Sequence, residues 1–427
     1  MKYLTEPIIS NNKKLNSQQV IKEENIKQLF DLINKHRDIS RAGLVRITKL
    51  SPTTVSTLID ELVAMGLVTE TGLAKTTLAG RKPIKLKIAP DGLQIPVFSL
   101  NRWGIQYTLY DLEYNEIEAL FVPHRADQYG GFDEDSDEDP DSGTDYADLI
   151  YDIFTNKAKR IDPEKVAAIC ISHPGLYLEE DQTFSCSALH VSIRKEVLVD
   201  LERKLGYKIF IGNSSMCFAY AEKKCLNNIG EDVHDLLYLN VTNGIGAGIV
   251  YHDEIFTGPS ITAGELGHLS IDYKGKKCRC GSRGCLENYV NTDAVLSAVK
   301  KAVSRTQCSE MLDLAQGSYD NITLEMVGEA YDRQIEAVRN AIDDIAEKLF
   351  TGIYGMICIT GIRRIVIGGG IERLGDGFLN KLVELSMADT DNVFTRNVKI
   401  TYAKSGFKGD SVGIAKYFID KVFTITQ

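Results

Sequence analysis

The sequence predicts an α/β protein of two parts, an N-terminal winged helix-turn-helix followed by a larger α/β body. Two observations carry this prediction. Residues 1–88 show three amphipathic helical patterns and then two strand patterns, and they are rich in basic side chains. From residue 95 onward, apolar strand patterns alternate with helical ones, as is typical of α/β domains. A length of 427 residues suits two or three domains.

Charge is unevenly distributed along the chain. Residues 1–90 hold 15 Lys and Arg against 8 Asp and Glu, a net of +7, whereas the whole chain carries -10, which leaves -17 for the remainder. A basic segment on an acidic body predicts that this segment meets a polyanion such as DNA. A helical adaptor with a solvated basic face is the alternative, but charge, helix order and strands together favour DNA binding.

Three helices are predicted in the basic segment. The first covers residues 15–37, and a second, short helix follows Ser40. Ser51 suits an N-cap and Pro52 the first position of a third helix, whose N-terminal end carries small polar side chains. A recognition helix presents such residues to the major groove. The predicted DNA contacts in the helices are Arg41, Ser51, Thr53, Thr54, Ser56 and Thr57.

A β-hairpin wing is predicted after these helices. Residues 67–71 and 83–88 read as its strands, and Arg81 and Lys82 lie at a bend marked by glycine, where they are predicted to contact DNA. A linker follows at 89–92, so the predicted domains are 1–88 and 89–427. Residues 124–146 form an acidic, low-complexity run and are predicted to be a flexible surface loop. An acidic metal-binding loop is a minor alternative, since the spacing matches no EF-hand.

The stretch from Glu265 to Glu287 holds the most specific chemistry. Three thiols and one imidazole lie close together in the sequence, a common set for a closed, structural zinc site. The predicted Zn²⁺ ligands are His268, Cys278, Cys280 and Cys285. Free thiols or disulfides are the alternative. Zinc is favoured because the other cysteines are isolated in apolar segments and the N-terminus lacks the apolar core of a secretory signal, as expected of a cytoplasmic protein.

The same stretch resembles the zinc motif of the ROK family of sugar kinases and sugar-responsive repressors, in Glu265-x-x-His268 and Cys278-x-Cys280-Gly281-x-x-Gly284-Cys285-x-Glu287. The resemblance implies a two-lobed, actin- and hexokinase-like (ribonuclease H-like) body. It also implies that Glu265, His268 and Glu287 bind sugar hydroxyls. Residues 1–88, including Gly-Arg-Lys-Pro in the wing, resemble the winged helix of ROK repressors, which the ROK kinases lack.

The kinase motifs of that family are altered here. The first phosphate loop is replaced by Ser99–Trp103, and Ser214 stands where the kinases have their catalytic aspartate. A serine hydroxyl is too weak an acid to act as a general base at neutral pH, and Glu222 is expected to point elsewhere. Asn213 matches a kept family residue and is predicted to contact the effector. Residues 187–189 replace the family's sugar-binding asparagine.

Two glycine turns match family positions near the nucleotide. Residues 242–249 resemble the second phosphate loop, with Asn243 as a predicted ligand contact, although a tight hairpin explains the glycines equally well. Gly368–Gly370 resembles the turn beside the nucleotide, and a tight strand-to-helix turn is its alternative.

Together these features predict a repressor of carbohydrate metabolism without enzymatic activity. It is expected to bind a pseudo-palindromic operator as a homodimer, or as a tetramer, and to respond to a sugar or sugar phosphate. An ATP-dependent ROK sugar kinase carrying a DNA-binding module is the first alternative. A repressor controlled by a protein partner, with no small effector, is the second. No apolar run reaches the length of a membrane span.

Overall fold

The structure is a computed structural model. It describes residues 17–36, 38–73, 84–101, 103–123, 142–186, 191–258, 262–388, 391–406 and 408–422. By their contacts, the residues divide into two compact units. Unit 1 comprises residues 1–173, 192–212 and 414–427, and unit 2 comprises residues 174–191 and 213–413. The predicted domain boundary after residue 88 falls inside unit 1 and stays a prediction.

The N-terminal part of unit 1 has the winged-helix arrangement that the sequence predicts. Its elements are α1 (Ser17–His36), β1 (Ile39–Ser40), α2 (Arg41–Thr48), α3 (Pro52–Ala64), β2 (Val68–Leu73) and β3 (Ile84–Ile88). The strands form an antiparallel sheet in the order β1-β3-β2. Ser40 and Ser51 cap α2 and α3 by accepting backbone hydrogen bonds, so the local sequence fixes where each helix begins. Arg81 and Lys82 lie outside the described residues.

The rest of unit 1 is built on a mixed five-stranded sheet in the order β11-β7-β4-β5-β6. These strands are β4 (Ile95–Asn101), β5 (Gly104–Tyr110), β6 (Glu116–Pro123), β7 (Ile169–His173) and β11 (Ile209–Asn213). Strand β4 pairs parallel with β7 and antiparallel with β5. Two helices accompany the sheet: α4 (Ser142–Asp152), which continues as a π-helical turn over Ile153–Lys157, and α5 (Lys195–Leu205).

The predicted acidic loop is corrected at one end. Residues 142–146 begin α4 rather than continuing the loop, and the Tyr146 hydroxyl donates a 2.9 Å hydrogen bond to the carbonyl of Asn101. An aromatic side chain with a buried partner therefore anchors this end of the run. Residues 124–141 lie outside the described residues.

Unit 2 contains a second five-stranded sheet in the order β14-β13-β12-β15-β16. Its strands are β12 (Leu236–Val241), β13 (Ile245–Tyr251), β14 (Glu254–Ile255), β15 (Arg364–Gly368) and β16 (Lys399–Tyr402). Shorter strands elsewhere in the chain are β8 (Leu176–Leu178), β9 (Thr183–Cys186) and β10 (Val191–Arg194). Strands β12, β15 and β16 are parallel, while β13 and β14 complete the sheet by antiparallel pairing.

Helices cover both faces of this second sheet. The helices are α6 (Ser214–Asn228), α7 (Glu287–Val290), α8 (Thr292–Thr306), α9 (Ser309–Leu314), α10 (Leu324–Asp332), α11 (Glu336–Thr360) and α12 (Gly375–Met387), and α13 (Gly409–Val422) closes the chain. Alternate residues of β12 point to opposite faces: Leu237 and Leu239 join the core shared with α8, α10 and α11, and Tyr238 joins the core under α6. Burial on both faces explains why β12 is apolar at most of its positions, with Asn240 as the exception.

Within the described residues, no helix combines the length and the apolarity that crossing a membrane requires.

Candidate metal centre and effector site

The four predicted metal ligands come together in unit 2. One ligand atom from each of His268, Cys278, Cys280 and Cys285 lies within 4.8 Å of the other three. The Cys280 and Cys285 sulfurs are 3.6 Å apart, and the Cys278 sulfur lies 3.7 Å from His268 Nδ1. Zn–S and Zn–N bonds of about 2.3 and 2.0 Å place tetrahedral ligand atoms about 3.3 to 3.8 Å apart. The donor set and its spacing therefore fit a tetrahedral metal ion.

Backbone hydrogen bonds hold the loop around this cluster. The Cys278 N–H donates to the Ser282 carbonyl at 2.8 Å, and the Gly281 N–H donates to the Cys278 carbonyl at 3.0 Å. Gly284 has a φ of +68°, and a Cβ there would lie 1.7 Å from the Asp272 carbonyl oxygen. Only glycine permits both this conformation and this approach, so Gly284 sets the course of the loop into Cys285.

The thiols differ in their tendency to ionise. A backbone hydrogen bond from Ser282 lowers the pKa of Cys280, whereas burial raises the pKa of both Cys278 and Cys285. Metal ligation requires thiolates. Metal uptake at this cluster would therefore release protons from the two buried thiols.

His268 connects the metal cluster to two carboxylates. Its Nδ1 faces the Cys278 sulfur and lies 3.4 Å from Glu287 Oε1, while its Nε2 lies 3.9 Å from Glu265 Oε2. Burial raises the pKa of Glu265, His268 opposes part of this rise, and the negative charge of Glu287 adds to it. A metal on Nδ1 leaves Nε2 free to face Glu265. Three of the predicted effector contacts thus form one group beside the metal cluster.

Asn243, another predicted contact, adjoins the same group. It lies in the turn between β12 and β13, where its Nδ2 donates a 2.6 Å hydrogen bond to Asp293 Oδ2. A Cβ on the next residue, Gly244, would lie 3.7 Å from Glu287 Oε2. The Asn243 turn therefore approaches Glu287 while its amide is held by Asp293.

Asn213 has a structural role that sequence reasoning missed. Its Oδ1 accepts hydrogen bonds from the N–H groups of Ser215 and Met216, and its Nδ2 donates to the Gly175 carbonyl at 2.9 Å. The side chain caps α6 and ties it to the Pro-Gly turn. An asparagine that directly precedes a predicted helix is itself the signal for a cap.

Comparison with known proteins identifies the family. A model described as the ROK family matches residues 138–421, well over half of the chain. The chain belongs to the ROK family. The xylose repressor of Caldicellulosiruptor bescii is 29% identical over 393 residues, covering 90% of this chain and 92% of the relative. NagC of Escherichia coli K12, named a DNA-binding transcriptional dual regulator, is 24% identical over 360 residues, 82% of each chain.

A solved structure supports the fold along almost the whole chain. It is described as a ROK family transcriptional regulator, homologous to the E. coli MLC protein, and matches with a TM-score of 0.75 at 23% identity. The match covers 95% of this chain and 98% of that one. One of the two sequence relatives is named a repressor and the other a transcriptional regulator, and this ROK protein is accordingly a repressor-type member rather than a kinase. The predicted fold class and regulatory function are confirmed.

The helix that follows Asn213 shows why the kinase chemistry is lost. Ser214 is buried at the first turn of α6. Glu222 is also fully buried, and its carboxylate accepts hydrogen bonds from the backbone N–H groups of Lys404 and Ser405, the shortest at 2.8 Å. As predicted, Glu222 points elsewhere and cannot replace the missing base.

The glycine run in β13 is explained by close packing. A Cβ on Gly248 would lie 2.2 Å from the Ser215 carbonyl oxygen and 2.6 Å from Ala219 Cβ. One on Gly246 would lie 2.3 Å from Ser215 Oγ. These glycines therefore let α6 lie directly on the sheet, which supports the hairpin alternative over a phosphate loop.

The Gly368–Gly370 turn already holds an anion from the chain. The Gly370 N–H donates a 2.7 Å hydrogen bond to Glu372 Oε2. With Asp293 bound to Asn243, both turns that resemble nucleotide contacts carry a carboxylate. A phosphate approaching either turn would meet a negative charge and an occupied donor.

The β4–β5 turn, which replaces the first phosphate loop, is tied by its own side chain. The Trp103 N–H donates a 2.9 Å hydrogen bond to Asn101 Oδ1, and Asn101 pairs with Gly104 across the hairpin. Arg102, between them, lies outside the described residues. The chain therefore makes a short β4–β5 turn at the position of the first phosphate loop of the kinases.

The predicted DNA contacts on α3 have two kinds of environment. Thr53 and Thr57 are exposed on the N-terminal half of the helix. Ser51 Oγ caps the helix by accepting from the Thr54 N–H, and it lies 2.8 Å from Thr54 Oγ1. Ser51 and Thr54 are thus partly committed to the cap, while Thr53 and Thr57 face solvent.

Arg41, whose predicted contact with DNA stays a prediction, makes an internal clamp. Its guanidinium makes five hydrogen bonds, to Ser56 Oγ and carbonyl, to Asp60 and twice to Glu70, over 2.7 to 3.2 Å. A guanidinium has five N–H donors, so this clamp engages all of them and joins α2, α3 and β2. Acidic residues 19 and 29 positions away gave no sequence signal for it.

Proposed function

We propose that this ROK protein is a cytoplasmic, sugar-responsive repressor that binds a pseudo-palindromic operator as a homodimer or a tetramer. The observation that carries the proposal is the grouping of Glu265, His268 and Glu287 around one edge of the metal cluster. The two carboxylates are hydrogen-bond acceptors held on a braced loop. A sugar presents several neighbouring hydroxyl donors, and such a group can accept from them together.

The metal in this proposal is a structural Zn²⁺ held by His268, Cys278, Cys280 and Cys285. When bound, it would supply a fixed bond to His268 and restrain the loop. Four protein ligands leave no position for a catalytic water. The chain's own residues then do the sensing: Glu265 and Glu287 orient sugar hydroxyls, and the second nitrogen of His268 faces the same region.

The effector is proposed to be a sugar or sugar phosphate. The Caldicellulosiruptor bescii relative is named for xylose, and a further relative, from Escherichia coli O6:H1 and 24% identical, is named N-acetylglucosamine repressor. These names support a monosaccharide as the class. Asn243 would join the contacts only by exchanging its hydrogen bond to Asp293. Asn213 would act chiefly through the cap it gives α6.

The winged helix is proposed to place α3 in the major groove and the wing residues Arg81 and Lys82 against phosphates. Thr53 and Thr57 would meet base edges, and the exposed Arg46 would contact the backbone. One such head reads few bases, so two heads on a pseudo-palindrome give the specificity that a repressor needs.

Operator binding measured by fluorescence anisotropy tests this function. Operator affinity should change at least about tenfold with the correct sugar, a coupling of about 1.4 kcal/mol. Glu287→Gln should lose this response and keep DNA binding. Xylose, N-acetylglucosamine and their phosphates are the probes. If none of them changes operator affinity or the melting temperature, a protein-controlled repressor becomes the better explanation.

Salt dependence tests the DNA-binding surface in the same assay. Arg46→Ala should lower the slope of log affinity against log salt by about 2 for a dimer on its operator, because one phosphate contact is lost from each of the two heads. Arg41→Ala is the matched variant. The Arg41→Ala variant should leave that slope unchanged. It should lower the melting temperature instead, because the Arg41 guanidinium makes its hydrogen bonds within the domain.

A further inference from the structure

One thiol of the metal cluster is open to solvent, and its neighbours are not. Cys280 is exposed, whereas Cys278 is 3% exposed and Cys285 is completely buried. The Cys280 and Cys285 sulfurs lie 3.6 Å apart. An accessible thiol beside a second thiol is the arrangement that oxidants convert to a disulfide, because the first sulfur reacts and the second one resolves the product. The same pair that can hold a metal can therefore also be oxidised.

The turn that carries Cys280 has room to move toward Cys285. The Cys278 N–H donates to the Ser282 carbonyl at 2.8 Å, which places Cys280 at the tip of a tight turn. A Cβ added to the next residue, Gly281, would meet nothing within 4 Å. A disulfide bond is about 2.05 Å long, so the two sulfurs must approach by about 1.6 Å. The open space around the tip permits a shift of this size.

Cys285, in contrast, is held in place. It forms a β-bridge with Ser270, and the N–H of the next residue, Leu286, donates to the Leu269 carbonyl at 2.9 Å. The Leu286 side chain is itself fully buried. Cys285 is therefore the fixed member of the pair, and Cys280 is the accessible and movable one.

We propose that Cys280 and Cys285 form an oxidation site, at which hydrogen peroxide joins their sulfurs in a disulfide and the metal is released. The proposal rests on the Zn²⁺ of the proposed function. Metal ligation keeps cysteines as thiolates, the form that attacks peroxide. The Cys280 sulfur bonds to one peroxide oxygen, the O–O bond breaks, and the departing hydroxide takes a proton to become water.

A second step completes the disulfide. The Cys285 thiolate attacks the sulfur of the Cys280 sulfenic acid, the S–O bond breaks, and the hydroxide takes a proton and leaves as a second water. The two sulfurs together lose two electrons, and the two oxygens of peroxide gain them. The zinc ion keeps its charge, since Zn²⁺ has no redox chemistry here.

The disulfide would change the effector group beside the cluster. It removes two of the four ligands, and His268 and Cys278 alone do not make a closed zinc site. His268 Nδ1 lies 3.4 Å from Glu287 Oε1, so a ring released from the metal can pair with that carboxylate. Glu287 is a proposed sugar contact. Oxidation should therefore abolish the response to sugar, and peroxide and sugar would act through one loop.

Peroxide treatment of the full-length, zinc-loaded protein tests the site without operator or sugar. Hydrogen peroxide should release the zinc, followed with a chromophoric chelator, and peptide mapping after alkylation should show Cys280 joined to Cys285. Dithiothreitol with added Zn²⁺ should restore the metal content. Cys358→Ser is the matched control, because Cys358 is an exposed thiol outside the cluster, and this variant should lose its zinc as the wild type does.

A second variant separates metal binding from oxidation. Cys280→His replaces the exposed thiol by another common zinc ligand, and it should keep its zinc at a peroxide concentration that empties the wild type. If Cys280→His binds no zinc, the wild-type peptide map decides alone. Zinc retained by the wild type under peroxide, or a disulfide between other cysteines, overturns the oxidation site but not the repressor. A wild type that binds no zinc overturns the proposed structural zinc as well.

Discussion

The metal-centre loop and the two glycine turns belong to the same unit, yet their polar groups are used differently. In the loop, four ligand atoms converge within 4.8 Å and two carboxylates flank His268. In the turns, Asn243 and the Gly370 N–H already bind Asp293 and Glu372. The loop brings together a complete set of metal ligands, whereas the hydrogen-bond donors of the two turns are paired with carboxylates of the chain.

This difference teaches how a kinase-like fold can serve as a sensor. A ligand-binding site needs polar groups that are available to hydrogen-bond the ligand because no other residue of the chain occupies them. On the nucleotide side those groups are paired internally, and no base remains at Ser214. At the proposed effector site Glu265 and Glu287 are grouped around His268. In the proposed function, sugar recognition therefore persists without phosphoryl transfer.

The largest effect on metal binding and on the sugar response is expected from Cys280→Ser, which removes one ligand from the metal-centre loop. Removing one thiolate should lower metal affinity by more than ~100-fold, since outer-shell changes alone cost about 10–100-fold. Metal content by mass spectrometry should fall, and the response of operator binding to sugar should disappear. Cys358→Ser, which alters a thiol outside the cluster, should retain the metal. If the wild-type protein contains no metal and still represses and responds to sugar normally, the loop does not depend on a metal ion.

A smaller effect is expected from Gly248→Ala, which tests the packing explanation of the glycine run. The added methyl would meet the Ser215 carbonyl and Ala219. Overpacking typically costs about 1 to 3 kcal/mol, and contact with a backbone carbonyl places this variant at the upper end. Gly230→Ala, at φ +90° with nothing within 4 Å, should cost only about 1 kcal/mol. Denaturant unfolding measures both. Equal stability of the two variants would argue that the β13 glycines serve a ligand instead.

The smallest effect is expected from Ser214→Asp, which returns the missing kinase carboxylate. We expect no sugar-dependent ATP turnover from this variant or from the wild type, because both glycine turns remain occupied. A coupled assay on protein free of contaminating kinases measures this. Turnover by Ser214→Asp alone would show that the occupied turns do not block nucleotide, and adding Glu372→Gln and Asp293→Asn would then show their contribution.

Much of the fold could be predicted because its signals are local. The predicted helix at 15–37 is α1 at Ser17–His36, and the predicted wing strand at 83–88 is β3 at Ile84–Ile88. Apolar periodicity and caps fix such elements. The short strand β1 and the helix α12 were missed, because a two-residue strand has no period and α12 begins at glycine.

The metal ligands could be predicted because their spacing is itself the signal. The roles of Arg41, Asn243 and Glu372 could not. Each depends on a partner set by tertiary packing, such as Glu70 for Arg41 or Asp293 for Asn243. The sequence shows which groups can donate or accept hydrogen bonds. Only the fold shows whether another residue of the chain is already hydrogen-bonded to them.

Glu372 and Asp293 also bear on what the protein can report to the cell. Because each fills its turn with a tethered carboxylate, adenine nucleotides meet an intramolecular competitor whose effective concentration never falls. Transcription governed by this chain would then follow the supply of the sugar and stay insensitive to the adenylate energy charge. The two side chains that occupy these turns would keep a nutrient signal separate from an energetic one.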